Sequence, residues 1–138
     1  MRSSFVLALA MLFCVSSPIR ADSLTTTEAV AASRAWLAVV DAGEYTKSWD
    51  GAAALFKQRV TKAEWEQAVA KVRDGTGAMK TRELESAQPE HTLPGVPDGD
   101  YVVMTYRSAF EKYPTATETV AAMRDPDGQW RVAGYFVK

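Results

Sequence analysis

The polar side chains best suited to chemistry in this sequence are three tyrosines and two carboxylates, namely Asp41, Tyr45, Tyr106, Glu118 and Tyr135. Inside a cavity, a tyrosine hydroxyl or a carboxylate can polarise a carbonyl group or abstract a proton. On that basis we take Asp41, Tyr45 and Tyr106 as candidate catalytic residues. No spacing rule connects the five positions, however. The sequence therefore favours the alternative, in which the tyrosines pack against their neighbours and keep a solvated hydroxyl.

A loop over residues 89–100 contains the only histidine, His91, together with Glu90, Asp98 and Asp100. No second histidine accompanies it, so a solvated loop residue is favoured over a general base or a zinc ligand. The carboxylates lack the alternating ligand spacing of a calcium loop, and Asp98 followed by Gly99 is a common turn dipeptide. The sequence predicts no metal site and no cofactor.

The first 21 residues have the pattern of a cleaved secretory signal. Arg2 supplies a positive charge, residues 5–15 are uncharged and apolar, and Ala21 is a small residue at the predicted cleavage position. The apolar run is shorter than the about 20 residues that span a bilayer, which favours cleavage over a retained anchor. We predict an exported bacterial protein, periplasmic or secreted, in which residues 22–138 form a single domain.

The only cysteine, Cys14, lies within the predicted signal. Phe13 precedes it where a lipoprotein signal requires a small residue, so no lipid anchor is predicted. Without the signal, the chain has no disulfide and no thiol nucleophile. It then contains 14 basic and 17 acidic residues, a net charge of −3, without a basic stripe. Nucleic acids and anionic membranes are therefore poor partners, and no later segment is predicted to span a membrane.

Helical patterns occupy the first half of the predicted domain. Thr25 and Glu28 form a possible capping box at the start of a helix with a buried stripe around Trp36. Residues 44–49 are predicted to form a short second helical turn, and residues 52–60 a less regular run. A second capping box, Thr61 with Glu64, begins the clearest helix. Its buried stripe is predicted to contain Trp65, Ala68, Val69 and Val72, whereas Arg73 is assigned to another face.

Strand patterns occupy the second half, over residues 79–88, 101–110, 116–124 and 130–138. The tetrapeptide at 125–128, Asp-Pro-Asp-Gly, is a strong turn signal, because proline presets φ and glycine accepts a positive φ. The chain is therefore predicted to be α+β, with N-terminal helices packed on one face of a curved antiparallel sheet of about four strands.

Alternation along the last two strands predicts which side chains face the helices. The row assigned to the helices consists of Ala121, Met123, Trp130, Val132 and Phe136. The opposite face carries Glu118 and Arg131 among apolar residues, namely Val120, Ala122, Ala133, Tyr135 and Val137. That face is too apolar to be fully solvated, so we predict that these five apolar residues bind a small apolar ligand, a protein partner or a second copy of the chain.

Three stretches of the chain resemble an exported bacterial family known only as domain of unknown function 4019. They are residues 35–49 (AWL, then D-x-G-x-Y-x-x-S-W), residues 93–103 (LPG-x-PDG-x-YVV) and residues 127–136 (DG-x-WRVAGYF). The resemblance implies a cone-shaped, cystatin-like or NTF2-like fold, in which helices pack into a bent antiparallel sheet. It implies no reaction, since domains of this shape serve as isomerases, dehydratases, binding modules and dimerisation modules.

Two functions of different classes remain open at this point. The favoured one is a non-catalytic exported module that binds its ligand or partner through the cone cavity or the second face of the sheet. The alternative is a small cofactor-free lyase or isomerase that uses Asp41, Tyr45 or Tyr106. A cavity where two of these polar groups converge, one of them with a strongly perturbed pKa, favours the enzyme.

Overall fold

The computed structural model describes residues 19–138, with side chains from Ser23 onward. Four helices precede four strands: α1 (Ile19–Asp41), α2 (Tyr45–Asp50), α3 (Ala54–Arg59), α4 (Lys62–Thr76), β1 (Met79–Glu90), β2 (Tyr101–Phe110), β3 (Ala116–Arg124) and β4 (Trp130–Val137). The strands form one antiparallel sheet in the order β1-β2-β3-β4. The predicted α+β class, with helices before the sheet, is confirmed. Most of the predicted signal, including Cys14, lies outside the described residues, and the single-domain boundary at residue 22 stays a prediction.

The two predicted capping boxes have different outcomes. At the start of α4, the Glu64 backbone N–H donates to Thr61 Oγ1 at 3.2 Å, and the Thr61 backbone N–H donates to Glu64 Oε2 at 2.9 Å. This box is confirmed. The box at Thr25 is wrong, because that residue lies inside α1, where the neighbouring Thr27 hydroxyl donates to the Ser23 carbonyl at 2.8 Å. No described helix is long and apolar enough to cross a membrane.

The turn between β3 and β4 forms as predicted. The Gly128 backbone N–H donates to the Asp125 carbonyl at 2.8 Å, and Gly128 has φ +84°, in the region that favours glycine. The turn is short enough to hold β4 directly against β3. Together with the β2–β3 connection, it builds an open sheet in which β1 and β4 are the edge strands.

The core lies between the helices and one face of the sheet. The helices contribute Ala29, Trp36, Leu37, Val40, Phe56, Trp65 and Val69, and the strands contribute Val102, Met104, Tyr106, Val120, Ala122, Trp130 and Val132. Trp36 and Trp65 lie at the centre, with ring centroids 5.6 Å apart. Burial of these large apolar side chains is the main source of stability for a chain whose described part contains no cysteine.

The predicted assignment of faces on the last two strands is wrong for several residues. Val120 and Ala122 are 0% exposed and pack against the helices with Val132, so they do not form an outer surface. For β3 the reason is the register of the hairpin, because directly opposed residues share a face and Ala122 pairs with the buried Val132. For β4 the reason is a bulge: Ala121 pairs with Gly134 and Ala122 pairs with Val132, which leaves one extra residue in β4. Beyond the bulge the two faces of β4 are exchanged, so Tyr135 and Val137 share the face of the buried Val120 and Glu118. The assignment of Phe136 to the helices is therefore wrong, and its side chain is 51% exposed.

Candidate functional site

A buried carboxylate, Glu118 of β3, is the centre of the most polar part of the interior. Its side chain is 0% exposed. Its Oε1 accepts hydrogen bonds from Arg82 Nε at 2.7 Å and from Ser108 Oγ at 2.5 Å. Its Oε2 accepts from Arg82 Nη2 at 3.0 Å and from the Tyr135 hydroxyl at 2.5 Å. Four donors thus satisfy both oxygens, as a buried carboxylate requires.

A second carboxylate, Asp41 at the end of α1, extends this cluster toward the surface. Arg73 Nη1 donates to Asp41 Oδ1 at 2.8 Å, and Arg82 donates to both oxygens, at 2.8 Å from Nη1 and 3.0 Å from Nη2. Arg73 Nη2 also donates to the Tyr135 hydroxyl at 3.0 Å and lies 3.6 Å from Glu118 Oε2. We call these six residues, which are Asp41, Arg73, Arg82, Ser108, Glu118 and Tyr135, the Glu118 cluster.

The Glu118 cluster joins almost every layer of the fold. Asp41 belongs to α1 and Arg73 to the last turn of α4, whereas Arg82, Glu118 and Tyr135 come from β1, β3 and β4. Its two arginines balance its two carboxylates, so the cluster carries no net charge. Arg73 also stacks on Phe110, with its guanidinium carbon 5.0 Å from the ring centroid. The arrangement fixes helices to strands, and loss of either carboxylate or either arginine leaves the cluster with an unbalanced charge.

The pKa shifts of Asp41 and Tyr135 hold these two groups in one protonation state each. Burial raises the pKa of Asp41, but hydrogen bonds and charge from Arg82 and Arg73 outweigh that effect and leave it below its ordinary value. Burial, reinforced by the charge of Glu118, raises the pKa of the Tyr135 hydroxyl far above its ordinary value. At neutral pH, Asp41 is an ion-paired carboxylate and Tyr135 a protonated phenol, and neither is poised for proton transfer.

The three candidate catalytic residues do not share one cavity, although Asp41 lines two clefts, one with each tyrosine. Asp41 and Tyr45 line an open cleft of about 450 Å³ near the C-terminal end of α4, together with Arg73. Tyr106 is 1% exposed and borders a different cleft of about 250 Å³, on the other side of Asp41. Its hydroxyl is hydrogen-bonded to Ser33. The tyrosine hydroxyls of positions 45 and 106 therefore do not converge on one reacting group.

The loop carboxylates and histidine do not form a site either. His91 is 86% exposed, with Nδ1 3.2 Å from Asp100 Oδ1. Across residues 19–138, no group of three histidine, cysteine, aspartate or glutamate side chains is arranged to hold a metal ion. His91 is thus a solvated loop residue, which is the interpretation that the sequence favours.

Sequence reasoning missed the arginines of the cluster. The prediction that Arg73 lies off the buried stripe of α4 is wrong, since this residue is only 8% exposed. The signal was present, since Arg73 follows Val69 by four residues and so lies on the same helical face. Glu118 also had a signal, because it alternates with Val120 and Ala122 along an inward-facing row. Arg82 lies on the charged strand β1, and its sequence neighbours give no such indication.

A second region of interest is an apolar groove between α4 and the end of β4. It has a volume of about 190 Å³ and is lined by Trp65, Ala68, Val69, Val72, Tyr135, Phe136 and Val137. Val72, predicted to be buried, is 41% exposed, and Phe136 on the rim is 51% exposed. We call this surface the α4–β4 groove. Tyr135 and Val137 belong to it, and they are the two residues of the predicted binding surface that have an apolar neighbourhood open to solvent.

Tyr135 connects the groove to the Glu118 cluster. Its ring packs edge-on against Trp36 and Trp65, with centroid distances of 5.5 Å and 6.4 Å. Its hydroxyl reaches inward to Glu118 and Arg73. The same side chain therefore closes the polar interior and forms part of the wall of an apolar surface.

The fold and these two regions define a small α+β protein with helices on one face of an open antiparallel sheet, a neutralised polar interior and an apolar surface groove. The chain belongs to the family described as protein of unknown function (DUF4019), whose model matches residues 32–135. The match includes all six residues of the Glu118 cluster and five of the seven residues that line the groove. A search of curated proteins found no match. The cystatin-like or NTF2-like relationship stays a prediction.

Proposed function

We propose that this chain is an exported, non-catalytic interaction module that binds a protein segment in the α4–β4 groove. The observation that carries the proposal is the exposure of Val72 and Phe136, at 41% and 51%, beside a groove walled by the buried Trp65 and the partly buried Tyr135. Exposed apolar side chains that adjoin a shaped groove are typical of binding surfaces rather than of ordinary solvated surface. Export is supported by the signal pattern of residues 1–21.

The Glu118 cluster supports the non-catalytic part of this proposal. Each of the two arginines forms an ion pair with Asp41 and with Glu118. Both oxygens of Glu118 also accept two hydrogen bonds each. A general acid or base works best with a pKa near the ambient pH, but the shift of Asp41 is downward and that of Tyr135 is upward. The alternative, a cofactor-free lyase or isomerase at Asp41, Tyr45 or Tyr106, has weaker support, because Asp41 is ion-paired with Arg73 and Arg82 and the two tyrosines line different clefts.

Site-specific photo-crosslinking in the native cell tests the groove. We expect a photoreactive phenylalanine analogue at Val72 to give a discrete crosslinked product in the periplasmic or secreted fraction. The same analogue at Lys80, an exposed residue of β1, is the matched control and is expected to give none. Ala68→Asp should abolish the product, because it introduces a charge into the groove. Equal products from both positions, or no product from either, would contradict the proposal.

The export half of the proposal has its own measurement. The intact mass of the protein recovered from cells should correspond to residues 22–138, the product of cleavage after Ala21. A protein recovered from the cytoplasm at its full mass would contradict export and leave the groove proposal to the crosslinking result.

A further inference from the structure

The edge of the sheet next to the α4–β4 groove has unpaired backbone groups. The backbones of Thr117 and Lys138 exchange two hydrogen bonds of 2.9 Å each. This pair shows which residues of β4 direct their backbone groups toward β3. Hydrogen-bonded and non-hydrogen-bonded residue pairs alternate in an antiparallel ladder. Tyr135 with Val120, and Val137 with Glu118, are therefore non-hydrogen-bonded pairs. Their N–H and C=O groups therefore point away from β3. Within the described part of the chain, no backbone bond from another element reaches them.

The rest of the same edge is covered by the chain itself. The Ala53 backbone N–H donates to the Val132 carbonyl at 2.8 Å, and Ala52 and Ala53 are both 0% exposed. The segment before α3 thus protects the first half of β4. Only the second half, beside the groove, is open. A sheet edge that is partly covered, and open only beside an apolar groove, is the arrangement expected where a strand from another protein binds.

The opposite edge of the sheet shows the contrast. β1 contains Lys80, Arg82, Glu83 and Glu85 within six residues, and Pro89 near its end cannot donate a hydrogen bond. It also has two register irregularities. Charges, proline and bulges are the devices that prevent an edge from pairing with another chain. The open half of β4, from Gly134 to Val137, has no charge and no proline.

We propose that the open half of β4 binds an extended segment of a partner protein as an added antiparallel or parallel strand, with an apolar side chain in the α4–β4 groove. The proposal rests on the proposed function and specifies its partner. Main-chain hydrogen bonds to Tyr135 and Val137 supply affinity, and the groove selects an apolar side chain that points to the helix side. An added strand extends the sheet from four strands to five.

Charge identifies the partner further. No groove residue is acidic, exposed Lys71 precedes Val72, and Lys138 Nζ lies 5.8 Å from the Phe136 ring centroid. The partner segment therefore carries an acidic side chain next to its apolar one. A second copy of this chain does not supply that charge. If Tyr135 of one copy pairs with Val137 of another, Lys138 lies opposite Gly134 and meets no carboxylate.

The test uses blocked peptides of alternating valine and threonine that end in glutamate, added to the ¹⁵N-labelled protein as processed by its host cell. We expect amide shifts at Tyr135, Val137 and Val72. Replacing the terminal glutamate by lysine should weaken binding about threefold, the size of an exposed ion pair. Methylating alternate peptide nitrogens that face β4 should weaken it about tenfold or more, because it removes main-chain bonds. Methylating the other set of nitrogens is the matched control and should leave binding unchanged.

Each other outcome contradicts a defined part of the account. If peptides shift Val72 but both methylated sets bind alike, the groove is a binding site and strand addition is wrong. If no peptide shifts any groove amide, strand addition and the proposed function both fail. If the protein alone sediments as a dimer and protects the Tyr135 and Val137 amides from hydrogen exchange, the occupant is a second copy and the partner assignment is wrong.

Discussion

The Glu118 cluster and the α4–β4 groove have roles opposite to those that their residue types suggest in the sequence. The cluster contains the residue types of an active site, but its charges neutralise one another and its main carboxylate is completely buried. The groove contains residue types of a core, yet Val72 is 41% exposed. The comparison teaches that residue type identifies neither region. What distinguishes the two regions is where their contacts lie. Among the described residues, the side chains of the cluster bond to one another, whereas those of the groove stay partly exposed to solvent.

The largest effect is expected at the centre of the cluster. Glu118→Gln leaves Arg82 and Arg73 without their buried counter-charge and should lower the free energy of unfolding by about 3–5 kcal/mol. Urea denaturation monitored by tryptophan fluorescence measures it. Glu83→Gln is the matched control, because Glu83 pairs with Arg107 at 2.8 Å but is 70% exposed. Similar losses in the two variants would contradict the structural importance of the cluster.

Two valines of α4 compare the core with the groove directly. Val69 is 2% exposed and Val72 is 41% exposed, three residues apart on one helix. Val69→Ala should lower the free energy of unfolding by about 2 kcal/mol, because it removes buried methyl groups and leaves a cavity. Val72→Ala should lower it by less than about 0.5 kcal/mol. Equal losses would show that Val72 belongs to the core and not to a free surface.

The pH dependence of stability tests the ion pairs of Asp41. The folded-state pKa of Asp41 is lowered, so its contribution is complete above the unfolded value of about 4 and is lost as the pH falls through the folded value. Asp41→Asn should therefore cost about 1–2 kcal/mol at neutral pH, the size of its charged hydrogen bonds. The difference from the parent protein should shrink below about pH 4. A constant difference across the acid range would contradict this account of Asp41.

The smallest effect separates the two roles of Tyr135. Tyr135→Phe removes the hydroxyl bonded to Glu118 and keeps the ring in the groove. We expect a loss of about 1 kcal/mol in the free energy of unfolding and unchanged peptide binding. Tyr113→Phe is the control, since Tyr113 is 44% exposed and its substitution should have no measurable effect on stability. A loss of peptide binding in Tyr135→Phe would show that the cluster and the groove are one site.

Much of the fold was predictable because its signals are local. The Thr61–Glu64 capping box, the turn at residues 125–128 and the four strands all depend on neighbouring residues. The faces of β4 were not predictable in the same way. A single-residue bulge between Val132 and Gly134 changes which side chains face the helices, and it depends on pairing with β3.

The two regions of interest differ in how far the sequence reveals them. Asp41 and Tyr135 were recognised as polar candidates, but their partners Arg73 and Arg82 come from distant positions on α4 and β1. The groove depends on the packing of α4 beside β4, which is an edge strand of the sheet. Both are products of tertiary packing, which the alternation of residues along one element does not encode.

The most direct test of the central claim compares the glutamate peptide's affinity for two variants, Val72→Asp and Asp41→Asn, by isothermal titration at neutral pH. The account predicts that Asp41→Asn binds like the parent protein and that Val72→Asp binds at least about tenfold more weakly, since it places a carboxylate in the apolar groove and opposite an acidic peptide. The reverse result, with binding lost in Asp41→Asn and retained in Val72→Asp, would place the functional site at the polar cluster and contradict the account.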